Sequence, residues 1–349
     1  MRFIGIMSPR HICQTSDLLI LGAGITGLAA AYYLKDACDL RVLEASNELG
    51  GVIRTHQQEG YLLESGPDCF MNQKPQCLEL AKAIGLHDDI IESQDQNRRV
   101  LILREGQLHH TDYSDKAVTE FLGNRAQTNV NPAPFLSFKN GMQAFPQALA
   151  SQLGERIVPN TPITSIKYAD NYWQVGNFKA RAVLSTLPAA QTAKLLGVSW
   201  PQFGTVSTTS AYLAYKREDI AHSLDAFGVM LPAAENRKIS AVTIVSSKFK
   251  NRCPDGTVLF RAFTKNAPAD ARTEIENLFK PGGRPVLEKH FTVKYADPKY
   301  ASDHAAQVRT IEASLPANFF IAGSPYRGVG LADCIEQAQR FKLARHFER

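Results

Sequence analysis

The sequence predicts an α/β protein of two domains, one built on a parallel β-α-β unit and the other mostly antiparallel β. The first rests on order: the apolar run Asp17 to Leu21, the turn Gly22-Ala23-Gly24-Ile25-Thr26-Gly27, the alanine-rich stretch Leu28 to Leu34 and the second run Leu40 to Leu43 read as strand, turn, helix, strand. Strands joined through a helix are parallel and buried on both faces, so their runs are continuously apolar. The second rests on the runs Thr208 to Tyr215, Phe227 to Leu231, Ile239 to Val245 and Val258 to Phe263, which follow one another closely as strands of an antiparallel layer do. A chain of 349 residues is long enough to bury both cores without disulfides or metals.

The remaining elements fall between these. Residues Met1 to Ser16 lack the apolar stretch and small-residue cleavage site of a secretory signal and are expected to be an unstructured extension. Gly50-Gly51 and Gly66-Pro67 mark turns around a strand at Gly60 to Leu63, and a helix from Pro75 to Ile84 ends at Gly85. A strand is expected from Arg99 to Leu103, turning at Glu105-Gly106, then a short helical piece around Lys116 to Leu122 and a polar loop from Asn124 to Pro134. Gln143 to Leu153 reads as helix, Thr161 to Tyr168 and Tyr172 to Val175 as strands, and Ala182 to Thr186 as a buried strand stopped by Pro188. The end returns to the first style, with strand Phe319 to Ala322, a glycine-rich loop to Gly330 and a helix from Asp333 toward Phe347.

Composition excludes several classes. The chain is 44% hydrophobic and 21% charged, with no apolar run near bilayer length. Its net charge of +5 is scattered rather than gathered in a stripe, which argues against nucleic acid; a weak attraction to an anionic membrane surface stays open, as does a homodimer. The six cysteines form no C-x-x-C pair and no cluster with histidine, so no metal site is expected and a reducing, cytoplasmic setting is.

The glycine turn carries the chemistry. Its first glycine permits the tight turn, the second lets a pyrophosphate approach the backbone and the third lets helix pack on strand. The helix N-terminus behind it offers unpaired N–H groups and partial positive charge. Glu44 ends the second strand, twenty residues after Gly24, where an acid can accept hydrogen bonds from both ribose hydroxyls and disfavours a 2′-phosphate. The turn alone leaves NAD and FAD undecided. The next segment, Glu48-Leu49-Gly50-Gly51-Val52-Ile53-Arg54-Thr55, puts paired glycines where a backbone must approach an extended cofactor and an arginine where phosphates need neutralising.

That segment resembles the L-G-G-x-x-R-T signature of the flavin amine oxidase superfamily, and so implies FAD. Gly60-Tyr61-Leu62-Leu63-Glu64-Ser65-Gly66-Pro67-Asp68-Cys69-Phe70 resembles the protoporphyrinogen oxidase form of the loop that passes the flavin ring. Four further stretches resemble that family in its order: Ser137 to Met142, with Asn140 in place of a usual glycine; Phe227 to Pro232 with Glu235; Ser246 to Phe249 leading to Arg252-Cys253-Pro254-Asp255-Gly256; and Ala322 to Ile335. The resemblance implies a Rossmann-like FAD-binding domain of the amine-oxidase type, residues 15–97, 137–200 and 300–349, and a mostly antiparallel β substrate domain, residues 98–136 and 201–299. It implies FAD contacts from Gly22, Ala23, Gly24, Ile25, Thr26 and Gly27, from Glu44, Ala45, Gly51, Val52 and Arg54, from Gly66, Pro67, Asp68 and Cys69, and from Ile163, Gly323, Val329, Gly330 and Leu331. The terminal helix would point its N-terminus at the flavin.

For the substrate, the resemblance implies a tetrapyrrole, protoporphyrinogen IX or coproporphyrinogen III, oxidised in heme biosynthesis with dioxygen reduced to hydrogen peroxide. Arg98 or Arg99, with Arg99 preferred, would bind a propionate, and Phe227, Met230 and Thr243 would line the pocket. No catalytic acid or base is implied beyond the flavin. One departure stands out: members of the family carry a largely helical layer between the strand after the arginine and the turn at Ser137 to Met142, and here only Thr111 to Leu136 remains, with Lys116 to Arg125 resembling its first helix. A compact porphyrinogen oxidase, a flavin oxidoreductase with another substrate and a flavin-binding protein of little activity are all consistent with that gap.

Overall fold

The computed structural model describes residues 14–72, 74–94, 99–111, 134–201, 203–264 and 268–343. In chain order its strands are β1 (Gln14–Leu21), β2 (Leu40–Leu43), β3 (Thr55–Gln58), β4 (Tyr61–Glu64), β5 (Phe70–Met71), β6 (Ile90–Glu92), β7 (Val100–Arg104), β8 (Gln107–Thr111), β9 (Phe135–Phe138), β10 (Ile157–Val158), β11 (Ile166–Ala169), β12 (Tyr172–Val175), β13 (Phe178–Ser185), β14 (Gly204–Lys216), β15 (Gly228–Met230), β16 (Ile239–Ile244), β17 (Thr257–Thr264), β18 (Leu287–Lys299) and β19 (Phe319–Ile321). The helices are α1 (Ile25–Leu34), α2 (Pro75–Ala83), α3 (Ala144–Leu153), α4 (Ala189–Leu196), α5 (Val245–Lys248), α6 (Pro268–Phe279), α7 (His304–Ser314) and α8 (Leu331–Leu343). No helix among the described residues is long and apolar enough to cross a membrane. The predicted helical piece at 116–125, Arg98 and nearly all of the loop 124–134 lie outside the described residues.

The chain divides into two compact units, one of residues up to Gly51 with Leu149–Gly204 and Lys299 onward, the other of Val52–Ala148 and Thr205–Pro298. In the first, β1 runs parallel to β2 on one side and to β13 on the other, with β10 outside β2. The end of β13 takes β19 in parallel, and its start takes the antiparallel pair β12 and β11. Leu18 to Leu21 are fully buried because both faces of this sheet are covered. On one face Leu19, Leu21, Val183, Phe319 and Ile321 meet Val308 and Ile311 of α7. α1 packs against α8, and its Ala29, Ala30 and Ala31 are fully buried.

Two expectations are corrected here. Gln14 to Ser16 are strand rather than extension, because Gln14, Thr15 and Ser16 pair with Phe178, Lys179 and Ala180 of β13. The strand expected from Thr161 starts only at Ile166: Pro162 has no N–H to give a ladder, and the Thr161 N–H donates to the Glu44 carbonyl at 2.7 Å.

The second unit has a hairpin of β3 and β4, a small sheet β5-β9-β6, and a large sheet in the order β18-β14-β17-β16-β15-β7-β8. In the large sheet β14 against β17, β17 against β16, β16 against β15 and β7 against β8 run antiparallel, while β15 against β7 is parallel. Side chains opposite each other on adjacent strands share a face. One face carries Leu101, Leu103, Val229, Val242, Ile244, Phe260, Ala262, Ala211 and Leu213, closed by Ala271, Ile275 and Phe279 of α6. The other carries Val100, Ile102, Gly228, Met230, Ala241, Thr243, Arg261, Phe263, Ser210 and Tyr212, by the registers Val100 to Gly228, Gly228 to Thr243, Thr243 to Arg261 and Arg261 to Tyr212 with their neighbours two residues on.

Candidate functional site

In the first unit the glycine turn has the geometry its sequence implies. Gly22 has φ of +100°, open to glycine, and a Cβ on Gly27 would stand 2.1 Å from the Gly22 carbonyl oxygen, so strand and helix meet only because position 27 has no side chain. A Cβ on Gly24 would meet nothing within 4 Å: the backbone there faces open space. Gly24 is the N-cap of α1, which has no side-chain cap and no acid in its first turn, so the N–H groups of Ile25, Thr26 and Gly27 begin a helix with no anion of its own. These features fit a pyrophosphate.

Glu44 follows β2 and is tied to this turn: its Oε2 accepts from the Ala23 N–H at 2.8 Å, and its Oε1 accepts from the Ser46 N–H at 3.0 Å and hydroxyl at 3.2 Å. Ala45 beside it is exposed. The Gly50 N–H donates to the Ala23 carbonyl at 2.8 Å, and Gly51, with φ of +61°, would place a Cβ 3.3 Å from the Gly24 Cα. Ile163 lies just past Thr161, whose bond to Glu44 brings that segment to the same strand end, and packs half-buried on the core of this unit. The turn, Glu44, Gly51 and the 161–163 segment therefore converge. Gly323 has φ of +116°, and Gln337 of α8 ties its loop down, accepting from the Gly323 N–H at 3.0 Å and donating to the Arg327 carbonyl at 2.7 Å. Val329, Gly330 and Leu331 lead into α8, where the Asp333 carboxylate already takes the Gly330 N–H at 3.1 Å. That cap was not foreseen.

In the second unit the segment resembling the flavin loop is pinned from several sides. A Cβ on Gly66 would stand 1.9 Å from the Val52 carbonyl oxygen, which forces glycine there, and the Ser65 N–H donates to the Arg54 carbonyl at 3.0 Å. Val52 itself is 43% exposed. Pro67 and Cys69 are half-buried. Asp68 pairs with Lys248 at 2.8 Å, and the Ser137 hydroxyl donates to the Asp68 carbonyl at 2.9 Å. Burial opposes the charge of Asp68, but Lys248 and Arg261 outweigh it and hold the carboxyl well below the usual range. The Lys248 ammonium also lies 3.1 Å from Cys69 Sγ and over the rings of Phe135 and Phe249.

Of the predicted substrate residues, the large sheet brings Phe227, Met230 and Thr243 together. Met230 and Thr243 lie on the face opposite α6, and Phe227 and Met230 form a buried cluster with Val100 and Ile102, against which Phe135 packs. Phe135 and Phe227 meet edge to face at 5.5 Å between centroids. Arg261, directly across from Thr243, donates to the Gly66 carbonyl at 2.8 Å and the Ser65 carbonyl at 3.3 Å. Arg99 stands just before β7, 64% exposed, with its guanidinium 3.7 Å from Asp225, to which His110 also comes within 3.4 Å. Sequence reasoning had assigned no role to Lys248, Arg252, Arg261 or the Glu64 carboxyl. The signal was there: a lone cation inside an apolar run, as in Val258-Leu259-Phe260-Arg261-Ala262-Phe263, is costly to bury without a purpose.

A glycine turn opening a helix, with an acid at the end of the second strand, defines a dinucleotide-binding oxidoreductase fold. The model of the flavin containing amine oxidoreductases matches residues 25–138 and 119–340, and the chain belongs to that family. It is an FAD-dependent oxidoreductase. It is 22% identical to the coproporphyrinogen III oxidase of Staphylococcus aureus, over 93% of this chain and 98% of that one, and 22% identical to the chloroplastic protoporphyrinogen oxidase of Nicotiana tabacum, over 92% and 84%. A solved structure from Exiguobacterium sp. 255-15, provisionally named a protoporphyrinogen oxidase, superposes with a TM-score of 0.80 at 20% identity, over 96% of this chain and 99% of that one. The Staphylococcus alignment runs to 457 positions against a chain of 349 residues, so at least 108 of them have no counterpart here. The two matched stretches overlap at residues 119–138, close to where the sequence resembles a shortened helical layer.

Proposed function

We propose that this chain oxidises a porphyrinogen to the porphyrin in heme biosynthesis, coproporphyrinogen III before protoporphyrinogen IX, with dioxygen reduced to hydrogen peroxide. One observation carries the reading. Lys248 and Arg261 tie the segment from Ser65 to Cys69, which resembles the flavin-ring loop, to the sheet surface that holds Phe227, Met230 and Thr243. Cofactor loop and substrate surface must adjoin in any flavin oxidase, and the contact between these two parts of the unit supports reading them so. The names of the relatives supply the substrate class.

FAD, when bound, accepts a hydride from an electron-rich carbon and passes the electrons on to dioxygen. The residues of this chain have simpler tasks. Phe227, Met230, Val100 and Ile102 offer an apolar wall of the kind a flat macrocycle needs. Arg99, loosely held by Asp225, is free to turn its fork toward a propionate. Glu44 and the N–H groups at the start of α1 hold the ribose and pyrophosphate. No side chain is required to move a proton at the reacting carbon.

Anaerobic mixing of the yellow, FAD-loaded protein with coproporphyrinogen III tests this directly. Bleaching of the flavin, with peroxide released once air is admitted, is expected. A flavin left oxidised by both coproporphyrinogen III and protoporphyrinogen IX would refute the substrate. The positions of the Staphylococcus relative that have no counterpart here favour one second reading, a flavin oxidoreductase acting on another substrate, and slow bleaching by both porphyrinogens beside rapid bleaching by a different reductant would identify it.

A further inference from the structure

Three cations are buried around the segment from Glu64 to Cys69: Lys248 is 6% exposed, and Arg252 and Arg261 are each 3% exposed. Two carboxylates stand among them. Asp68 pairs with Lys248. Glu64 is 4% exposed, and burial pushes its carboxyl up to about 7 against the opposing pull of the Met142 N–H, the Thr55 hydroxyl and Arg252, so near neutrality it carries a fraction of a charge. Neither arginine has a carboxylate within ion-pair distance among the described residues. Arg252 donates to the Ser137 hydroxyl at 2.9 Å and to the carbonyls of Phe138 and Lys139 at 2.8 and 3.1 Å. Arg261 gives its hydrogen bonds to the carbonyls of Ser65 and Gly66, lies over the ring of Phe263, and keeps a buried Nε with no partner.

Among the described residues the cluster therefore holds more positive than negative charge. Holding main-chain carbonyls needs donors, not full charges, and burying unbalanced cations is costly. Such an excess is repaid where a negative charge arrives during function. A flavin gains that charge when it takes up a hydride, because the electron pair leaves the ring anionic.

We propose that Lys248, with Arg261 beside it, is a positioning residue for charge: it supplies the field that stabilises the reduced flavin, while Asp68 tempers that field. The proposal rests on the reading of Gly66 to Cys69 as the loop along the flavin ring. A unit charge about 10 Å from another at an effective permittivity near 20 alters an equilibrium on the order of tenfold.

The test uses the full chain loaded with FAD and reads the two-electron midpoint potential together with the affinity for sulfite, which adds to the oxidised flavin and also leaves the ring negative. Lys248→Met should stabilise the reduced flavin about tenfold less, a potential about 30 mV lower for a two-electron couple, and weaken sulfite binding by a similar factor. Lys248→Arg should keep both near the parent values, and Asp68→Asn should move both the opposite way. If Asp68→Asn shifts the potential and Lys248→Met does not, the proposal is wrong while the loop reading stands. If neither moves it in a protein that still holds FAD, the loop reading fails and the proposal with it. Should Lys248→Met leave Asp68 too exposed to its own burial for the protein to fold, the double variant Lys248→Met with Asp68→Asn removes the pair together. Its potential should fall below that of Asp68→Asn alone by the same margin, about 30 mV for a tenfold change, and equality would overturn the proposal.

Discussion

Glu64 should make the protein less stable as pH rises through neutrality, and Glu64→Gln should abolish that trend. Its Oε1 accepts from the Met142 N–H at 2.8 Å and its Oε2 from the Thr55 hydroxyl at 2.8 Å, so both oxygens are used inside the unit. Even so, burial dominates and lifts the carboxyl from 4.5 to about 7. The folded state then binds the proton more tightly than the unfolded chain, so the stability this confers is complete below about pH 4.5 and is lost as pH rises through 7. Between two and three pH units at about 1.4 kcal/mol each give a loss of roughly 3 kcal/mol by pH 8. Glutamine mimics the protonated acid: its carbonyl can accept from Met142, and its amide can donate to the Thr55 oxygen. Parent and variant should melt together near pH 5, and at pH 8 the variant should melt higher by about 5–10 °C, at roughly 2–4 °C per kcal/mol for a unit of this size. Melting curves recorded every half unit from pH 5 to 8 provide the check. Parallel pH dependences for the two proteins would show that Glu64 titrates normally and that the reasoning from burial is wrong.

Three further outcomes follow from the same geometry. Gly66→Ala should destabilise the protein by about 3 kcal/mol or more, because its Cβ would lie 1.9 Å from the Val52 carbonyl oxygen and neither backbone can yield; an unchanged melting temperature would contradict the packing. Glu44→Ala removes the acceptor of the Ala23 N–H and the proposed ribose ligand, at roughly 1–3 kcal/mol, so the purified protein should retain at least tenfold less FAD on dilution; full occupancy by absorbance would remove Glu44 from the site. Arg99→Met should raise KM for coproporphyrinogen III about tenfold while leaving kcat and the melting temperature near the parent values, since the side chain is 64% exposed and its ion pair with Asp225, at 3.7 Å, is a weak surface contact; an unaltered KM would dismiss it as the carboxylate anchor.

Constraints that act between near neighbours were readable from the sequence. The turn from Gly22 to Gly27 was legible because each glycine answers to an atom close by, Gly27 to the carbonyl of Gly22 above all, and the strand, helix and acid around it follow in order. The alternation of β14, β16 and β17 was legible for the same reason. Less could be read where one segment answers to a distant one. Gln14 to Ser16 became strand because Phe178 to Ala180 lie alongside, and the strand expected at Thr161 yielded to the bond from its N–H to Glu44. β18, α6 and α7 carry polar residues throughout their length, and their burial is decided by the faces they cover rather than by their own pattern.

Arg261 shows most clearly what local pattern leaves out. Its strand buries both faces: Phe260 and Ala262 turn toward the core under α6, and Leu259, Arg261 and Phe263 turn the other way. A two-sided buried strand should be apolar throughout, so a guanidinium at its centre means that the second face is not plain core. What it serves appears only once the chain closes on itself, since its hydrogen-bond acceptors, Ser65 and Gly66, lie 196 and 195 positions earlier. Lys248 repeats the logic at 180 positions from Asp68. Both cations reach back to the short segment at Gly66, where no side chain fits, and so charge that lies nearly two hundred positions apart in the sequence is gathered around one loop.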